Sequence, residues 1–229
     1  MQSARAPQSN ERPPSRKVEG QGQSHILCLT SSPRRDTSYS SLVAMRVLRE
    51  LRQVYPDASV TIRDLARHPL AHIDEDFVIA TRSIAGARND RQREMIDRSD
   101  VLIDELLSAD TLVIAASMIN FGIPSTLKAW VDHVIRPDRT FRYTDNGSQG
   151  LLRGRRAILV LSRGGFYSAG PLSAYEHDES YLRSVLNFIG ISDVQTILLE
   201  GMALGPDCAE RAVDAALRRA GAVAGVLAG

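Results

Sequence analysis

Thr111-Leu-Val-Ile-Ala-Ala116, followed by Ser117-Met-Ile-Asn-Phe-Gly-Ile-Pro124, decides how the rest of the chain reads. The first six residues form a short, mostly apolar run, as a strand does when helices cover both faces of a parallel sheet. The next residues mix apolar bulk with a single amide. Pro124 then opens a helix to Ile135, at a first turn where proline is tolerated. The unit is strand, loop, helix.

The same unit recurs on either side. His25-Ile-Leu-Cys-Leu-Thr30 and Arg156-Ala-Ile-Leu-Val-Leu-Ser162 are buried-strand runs, while Ser59 to Asp64 and Val194 to Glu200 complete a set of five. Leu42, Met45, Leu48, Leu51 and Val54 recur at helical spacing and end near Pro56. Asn89 to Leu107 reads as a helix capped by Asn89 or Asp90. Tyr175 to Ile189 reads as a helix closed by Gly190, and Pro206 to Leu227 as the last. Strands alternating with helices predict an α/β fold, a doubly wound five-stranded parallel sheet in order 2-1-3-4-5 with helices on both faces. Such sheets bind ligands beyond the carboxyl ends of their strands, at the topological switch point. Three loops qualify, after Thr30, Ala116 and Leu161.

The totals narrow the field. The chain has 229 residues, 43% hydrophobic and 24% charged, enough for one domain with a real core. A net charge of +1 gives no pull toward nucleic acid or an anionic membrane. No apolar run approaches the roughly 20 residues of a membrane span. The two cysteines, Cys28 and Cys208, lie in different predicted elements and read as reduced thiols, so cytoplasm is expected. Met1 to Ser24 is rich in Pro, Gln, Ser and Arg with almost no large apolar residue, and reads as a disordered extension before a domain spanning 25–229. Its Gly20-Gln-Gly22 precedes the first strand, where a dinucleotide fingerprint would follow one.

The first loop, Thr30-Ser-Ser-Pro-Arg-Arg-Asp-Thr-Ser-Tyr-Ser40, places hydroxyls and amides before a helix N-terminus, where an anion is favoured. Ser32, Ser38 and Ser40 are candidate phosphate donors; an ordinary cap by Thr37 or Ser38 reads equally well. In the second loop Met118 and Phe121 offer walls for a flat ring and Asn120 an edge contact, or else a tight turn with two core anchors. In the third, Ser162-Arg-Gly-Gly-Phe-Tyr167, the adjacent glycines let backbone approach a ligand, or simply make a turn. All three lie at one end of the predicted sheet, and that convergence favours a site.

Thr30 to Ser40, Ser117-Met-Ile-Asn-Phe-Gly-Ile-Pro-Ser-Thr-Leu-Lys128, Phe141-Arg-Tyr-Thr-Asp-Asn-Gly147 and Ser162-Arg-Gly-Gly165 resemble the homodimeric FMN-dependent azoreductases, also described as NADH:quinone oxidoreductases. The match runs in order from His25 to Leu204, with support from Ile62-Arg-Asp-Leu-Ala66, Leu186 to Gly190 and Glu200-Gly-Met-Ala203. The resemblance implies a flavodoxin-like sheet and non-covalent FMN. It implies NADH or NADPH as donor, and a quinone or azo compound reduced by two electrons in a ping-pong scheme. It implies that Ser32, Ser38, Tyr39 and Ser40 hold the phosphate, that Met118, Ile119, Asn120 and Phe121 line the isoalloxazine, and that Ser162, Arg163, Gly164 and Gly165 meet its polar edge. It also implies a homodimer with sites near the interface, walled in part by Phe141 to Gly147. The second position of M-x-N-F is often aromatic in that family and is Ile119 here, which packs on a ring without stacking.

Other chemistries fit less well. No G-x-S-x-G indicates a serine hydrolase. His68 and His72 have i,i+4 spacing, but Pro69 intervenes and no third metal ligand is evident. His133 follows Asp132 in a helix and reads as structural. His177-Asp178 lies beyond the Gly-Gly loop and is open to two readings, a surface helix position or an approach to the site. The rival function is a flavodoxin-like electron carrier for a protein partner, which direct NAD(P)H oxidation by the isolated protein would distinguish. A scaffold that binds no flavin would be colourless.

Overall fold

The computed structural model describes residues 24–226. Seven strands are present: β1 (His25–Thr30), β2 (Ser59–Asp64), β3 (Thr111–Ser117), β4 (Phe141–Thr144), β5 (Gly147–Gly150), β6 (Arg156–Ser162) and β7 (Asp193–Leu199). Five of them form a parallel sheet in the order β2-β1-β3-β6-β7, the expected 2-1-3-4-5 once the separate β4-β5 hairpin is set aside. The switch point lies between β1 and β3.

The helices are α1 (Tyr39–Val54), α2 (Glu75–Arg82), α3 (Asp90–Ser108), α4 (Ser125–Val134), α5 (Glu179–Ile189) and α6 (Pro206–Val226). Successive strand residues face opposite ways, which divides the core in two. Leu27, Leu29, Leu112, Ile114, Leu159 and Leu161 pack under α3, α4 and α5. Ile26, Cys28, Val113, Ala115, Ile158 and Val160 pack under α1 and α6. Fully burying one such side chain contributes about 1.5–3 kcal/mol.

Several boundaries differ from expectation. Asn89 caps α3 in a reciprocal capping box with Gln92. Helix α5 begins at Glu179 rather than Tyr175, because Asp178 is its N-cap and Pro171–Tyr175 is a separate 3-10 turn. On α1 the buried face is Val43, Ala44, Val47, Leu48 and Leu51; Leu42 and Met45, which share the helical spacing, are exposed. The spacing marks an apolar stripe, but Val43, Ala44 and Val47 join Leu48 and Leu51 on the face against the sheet. Helix α2 does not stand out in the sequence, because its apolar residues, Phe77 to Ala80, form one unbroken run and only Phe77 and Ala80 are buried.

The β4-β5 hairpin turns at Asp145-Asn146, with Thr144 paired to Gly147. The hairpin packs against α5. Phe141 packs on Phe188 of α5, with ring centroids 4.7 Å apart, and a Cβ on Gly150 would lie 2.2 Å from the Gly190 nitrogen. The expected extension over 1–24 lies outside the described residues except Ser24, whose carbonyl accepts the Ser59 N–H and lengthens the β1-β2 ladder. No described helix is long and apolar enough to cross a membrane.

Candidate functional site

The loop after β1 is fastened to β3 at its start. The N–H and the hydroxyl of Ser31 both donate to the Ala115 carbonyl, each at 3.1 Å. Ser32 is buried, and its Oγ lies 3.5 Å from the Ser117 hydroxyl across the switch point. Ser38 caps α1: its Oγ accepts the Ser41 N–H at 3.2 Å and meets the Ser40 hydroxyl at 3.0 Å. That cap leaves work undone. Among the described residues the N–H groups of Tyr39 and Ser40 have no acceptor, and both point along a helix N-terminus. The expectations of a cap and of an anion site are therefore compatible. Ser40 itself is fully buried behind Ser38.

The loop after β3 is a closed turn. Ile119 and Gly122 exchange backbone hydrogen bonds at 2.9 and 3.1 Å, and between them Asn120 and Phe121 take φ of 47° and 73°. Positive φ is natural for asparagine but costs a bulky residue roughly 1–3 kcal/mol, so the surroundings must hold it. They do: the Met118 N–H donates to the Ser162 carbonyl at 2.8 Å, and the Phe121 carbonyl accepts from His177. The Phe121 ring, 44% exposed, lies 5.1 Å from the Tyr175 ring and 6.3 Å edge-on from Tyr167.

The loop after β6 runs beside the loop after β7 as a continuation of the sheet. The carbonyls of Arg163, Gly164 and Gly165 accept the N–H groups of Met202, Ala203 and Gly201, at 3.1, 2.9 and 3.0 Å. The Arg163 N–H donates to Leu199. All the acceptors on this side are thus engaged, while the N–H groups of Gly164 and Gly165 have no partner among the described residues. Two free amides on a loop pinned from behind are suited to receive a ligand's carbonyl oxygens.

Eight of the expected contact residues line one cleft of about 210 Å³: Ser32, Ser38, Tyr39, Met118, Ile119, Ser162, Arg163 and Gly164. Asn120, Phe121 and Gly165 belong to the same two loops, at its side. Pro33, Arg34, Ser117, Met202 and Ala203 complete the walls. A wider groove of about 600 Å³ adjoins the cleft at Ser32 and runs past Leu42, Met45 and Ile62.

Arg163 enters the cleft through its backbone. Its guanidinium is fully buried among Asp178, Glu176, Glu179 and Glu200, so that side chain does not extend toward a ligand in the cleft. Burial and the neighbouring Glu176 carboxyl push Asp178 up to about 6. Glu200 was not evident as a site residue from sequence, yet its carboxylate accepts the Tyr167 and Ser168 N–H groups at 2.7 and 2.9 Å. The available signal was its position, just past the end of β7, at the same edge as the other loops. His177 is exposed and reaches the site through its main chain. Burial raises the Cys28 thiol to about 12, which leaves it inert.

Residues 24–224 match a family model described as a flavodoxin-like fold. The chain is 47% identical over 196 residues to an FMN-dependent NADH:quinone oxidoreductase of Rhizobium johnstonii, covering 86% of this chain and 96% of that one. It is 46% identical over 193 residues to an FMN-dependent NADH:quinone oxidoreductase 2 of Pseudomonas fluorescens, covering 84% and 96%. Among solved structures, an FMN-dependent NADH-azoreductase from Bacillus anthracis in complex with FMN superposes with a TM-score of 0.83 at 26% identity, covering 90% of this chain and 100% of that one.

Proposed function

The chain belongs to the flavodoxin-like family of FMN-dependent NADH:quinone oxidoreductases and azoreductases, and on that premise we propose that it binds FMN without a covalent bond and reduces quinones and azo compounds at the expense of NADH. The observation that carries this is two sets of unpaired N–H groups on the loops that line one cleft. The free amides of Tyr39 and Ser40, with the α1 dipole behind them and the Ser32 hydroxyl beside them, suit a phosphate. Gly164 and Gly165 suit the carbonyl edge of a flat ring, with Met118 and Ile119 against its face. When bound, FMN would supply hydride acceptance from NADH and two-electron delivery to the acceptor.

The protein's own contribution is positional and electrostatic. The Gly164 and Gly165 amides stabilise negative charge at the edge they face. The aromatic group of Phe121, Tyr167 and Tyr175 offers flat apolar surface to a flat acceptor. Ile119, 41% exposed, gives an aliphatic wall where an aromatic is expected, leaving more room and less stacking.

A homodimer is part of the proposal. The 210 Å³ cleft is smaller than the roughly 300–1,000 Å³ of typical cofactor pockets, which supports a second copy adding to its walls. Tyr143, 73% exposed on the hairpin, and Phe166, 52% exposed beside the cleft, are available for that contact. The free state of both cysteines suits the cytoplasm. The test is reconstitution of apo-protein with FMN, then NADH oxidation with a quinone and with an azo dye, alongside light scattering. Failure to take up FMN, or oxidation no faster than with free FMN, would refute the activity. A fully active monomer would refute the dimer.

A further inference from the structure

Arg163 joins the loop after β6 to the loop after β3, which lie far apart in the sequence. Its Nη2 and Nε meet the two oxygens of Asp178 at 2.8 and 3.3 Å, and its Nη1 meets Oε1 of Glu200 at 3.1 Å. The Glu200 carboxylate also takes the N–H groups of Tyr167 and Ser168 and the Ser168 hydroxyl at 2.5 Å. It therefore clamps the outgoing half of the Gly-Gly loop, while Gly201 to Ala203 hold the incoming half. Asp178, for its part, caps α5 by accepting the Glu179 N–H at 2.8 Å. It thereby fixes the segment whose preceding residue, His177, donates to Phe121 in the strained turn after β3.

A buried guanidinium among carboxylates is poor value for stability, since desolvation offsets much of the Coulomb gain and well-packed apolar side chains would serve as well. What apolar packing cannot do is hold several backbone donors in a fixed direction. From this geometry we infer that Arg163, with Asp178 and Glu200, is a positioning residue that sets the Gly164–Gly165 amides and the Asn120–Phe121 turn as one unit. It acts on the bound ring through those loops without touching it. The inference deepens the flavin reading above and rests on it for the ligand, though the coupling of the two loops belongs to the protein alone.

The experiment uses Arg163→Met combined with Asp178→Asn, which removes the ion pair without leaving its strongest half buried alone, and Arg163→Lys as the conservative variant. Amide exchange in the apo-protein reads the loops directly. Ile119 and Gly122 in one loop, and Tyr167 and Ser168 in the other, should exchange at least tenfold faster in the double variant, with β1 and β3 unchanged. FMN affinity, by fluorescence quenching, should fall at least tenfold, and the reduction potential of the bound flavin should move. Lysine, which keeps the charge but not the two-pronged fit, should restore part of each. Faster exchange in the Tyr167 loop alone, with Ile119 and Gly122 as in the wild type, would overturn the coupling. So would wild-type exchange in both loops alongside a lower melting temperature. Should the wild type bind no FMN, the flavin reading fails on that result, and the exchange data still decide the coupling. Should the double variant fail to fold, Glu200→Gln replaces it: the same faster exchange at Ile119 and Gly122 supports the inference, and its absence overturns it.

Discussion

The backbone N–H of His177 donates to the Phe121 carbonyl at 3.0 Å. That one bond ties the approach to α5 to a turn whose central residues both have positive φ. It also answers what the neighbouring His177 side chain leaves open, because the contact with the site is made by main chain.

His177→Ala should therefore leave FMN affinity and turnover within about twofold of the wild type. A proton-transferring imidazole would make the same change cost about 100-fold or more in kcat. Steady-state kinetics across pH distinguishes the two. A large loss confined to kcat would give the side chain the role assigned here to the backbone.

Apo-protein should prefer FMN to riboflavin by well over tenfold. FMN carries the phosphate that riboflavin lacks, for which the Tyr39 and Ser40 amides and the Ser32 hydroxyl are the partners, and hydrogen bonds to a charged group are worth about 1.5–3 kcal/mol. Quenching titrations with the two flavins measure the gap. Equal affinity would mean that the α1 N-terminus is capped and nothing more.

Gly164→Val should weaken FMN binding more than tenfold and leave the apo-protein's melting temperature nearly unchanged. Strain is not the reason, contrary to what a Gly-Gly pair suggests: Gly164 has no positive φ, and a Cβ there meets only Ala203, at an ordinary 3.5 Å. The added side chain instead narrows the cleft that Gly164 and Ala203 share. Gly150→Ala is the contrasting case. Its Cβ would lie 2.2 Å from backbone at Ile189 and Gly190, so the fold should lose several kcal/mol (about the cost of a severe core clash) while the protein that remains folded binds FMN normally.

Asp178 should give the protein a titration near pH 6. Its folded value lies above its unfolded one, so the folded state holds that proton more tightly. The resulting stabilisation is complete below about pH 4 and is lost as pH rises through about 6. Glu176 and Glu200 are lowered, by their hydrogen bonds and by Arg163 against the opposing effect of burial, and contribute in the opposite sense as pH falls. The informative quantity is the difference between wild type and Asp178→Asn, with Arg163, Glu176, Glu179 and Glu200 common to both. The variant should gain on the wild type between pH 4 and 7. A flat difference would remove Asp178 as the titrating group.

The strand order and the meeting of three loops were legible in the sequence because both follow from local patterns, apolar runs and the punctuation between them. The exposure of Leu42 and Met45 was not, since spacing marks a stripe without saying which neighbour shares the sheet's surface. Nor was the burial of the Arg163 side chain. Its partners lie 15 and 37 residues away, and only the fold brings Asp178 and Glu200 to it. A glycine pair suggests conformational freedom, yet at Gly164 the decisive property is small size and an unused N–H.

The Gly-Gly loop owes its shape to Gly201, Met202 and Ala203, which come near the end of the chain. During synthesis, the phosphate end and the ring-facing turn are complete in sequence long before those residues exist. A nascent chain therefore holds only part of the site, and long-range pairing of this kind is late and slow to form. Flavin loading should follow synthesis of β7 and of Gly201 to Ala203, and a truncation between β6 and β7 should leave four of the five sheet strands and no colour.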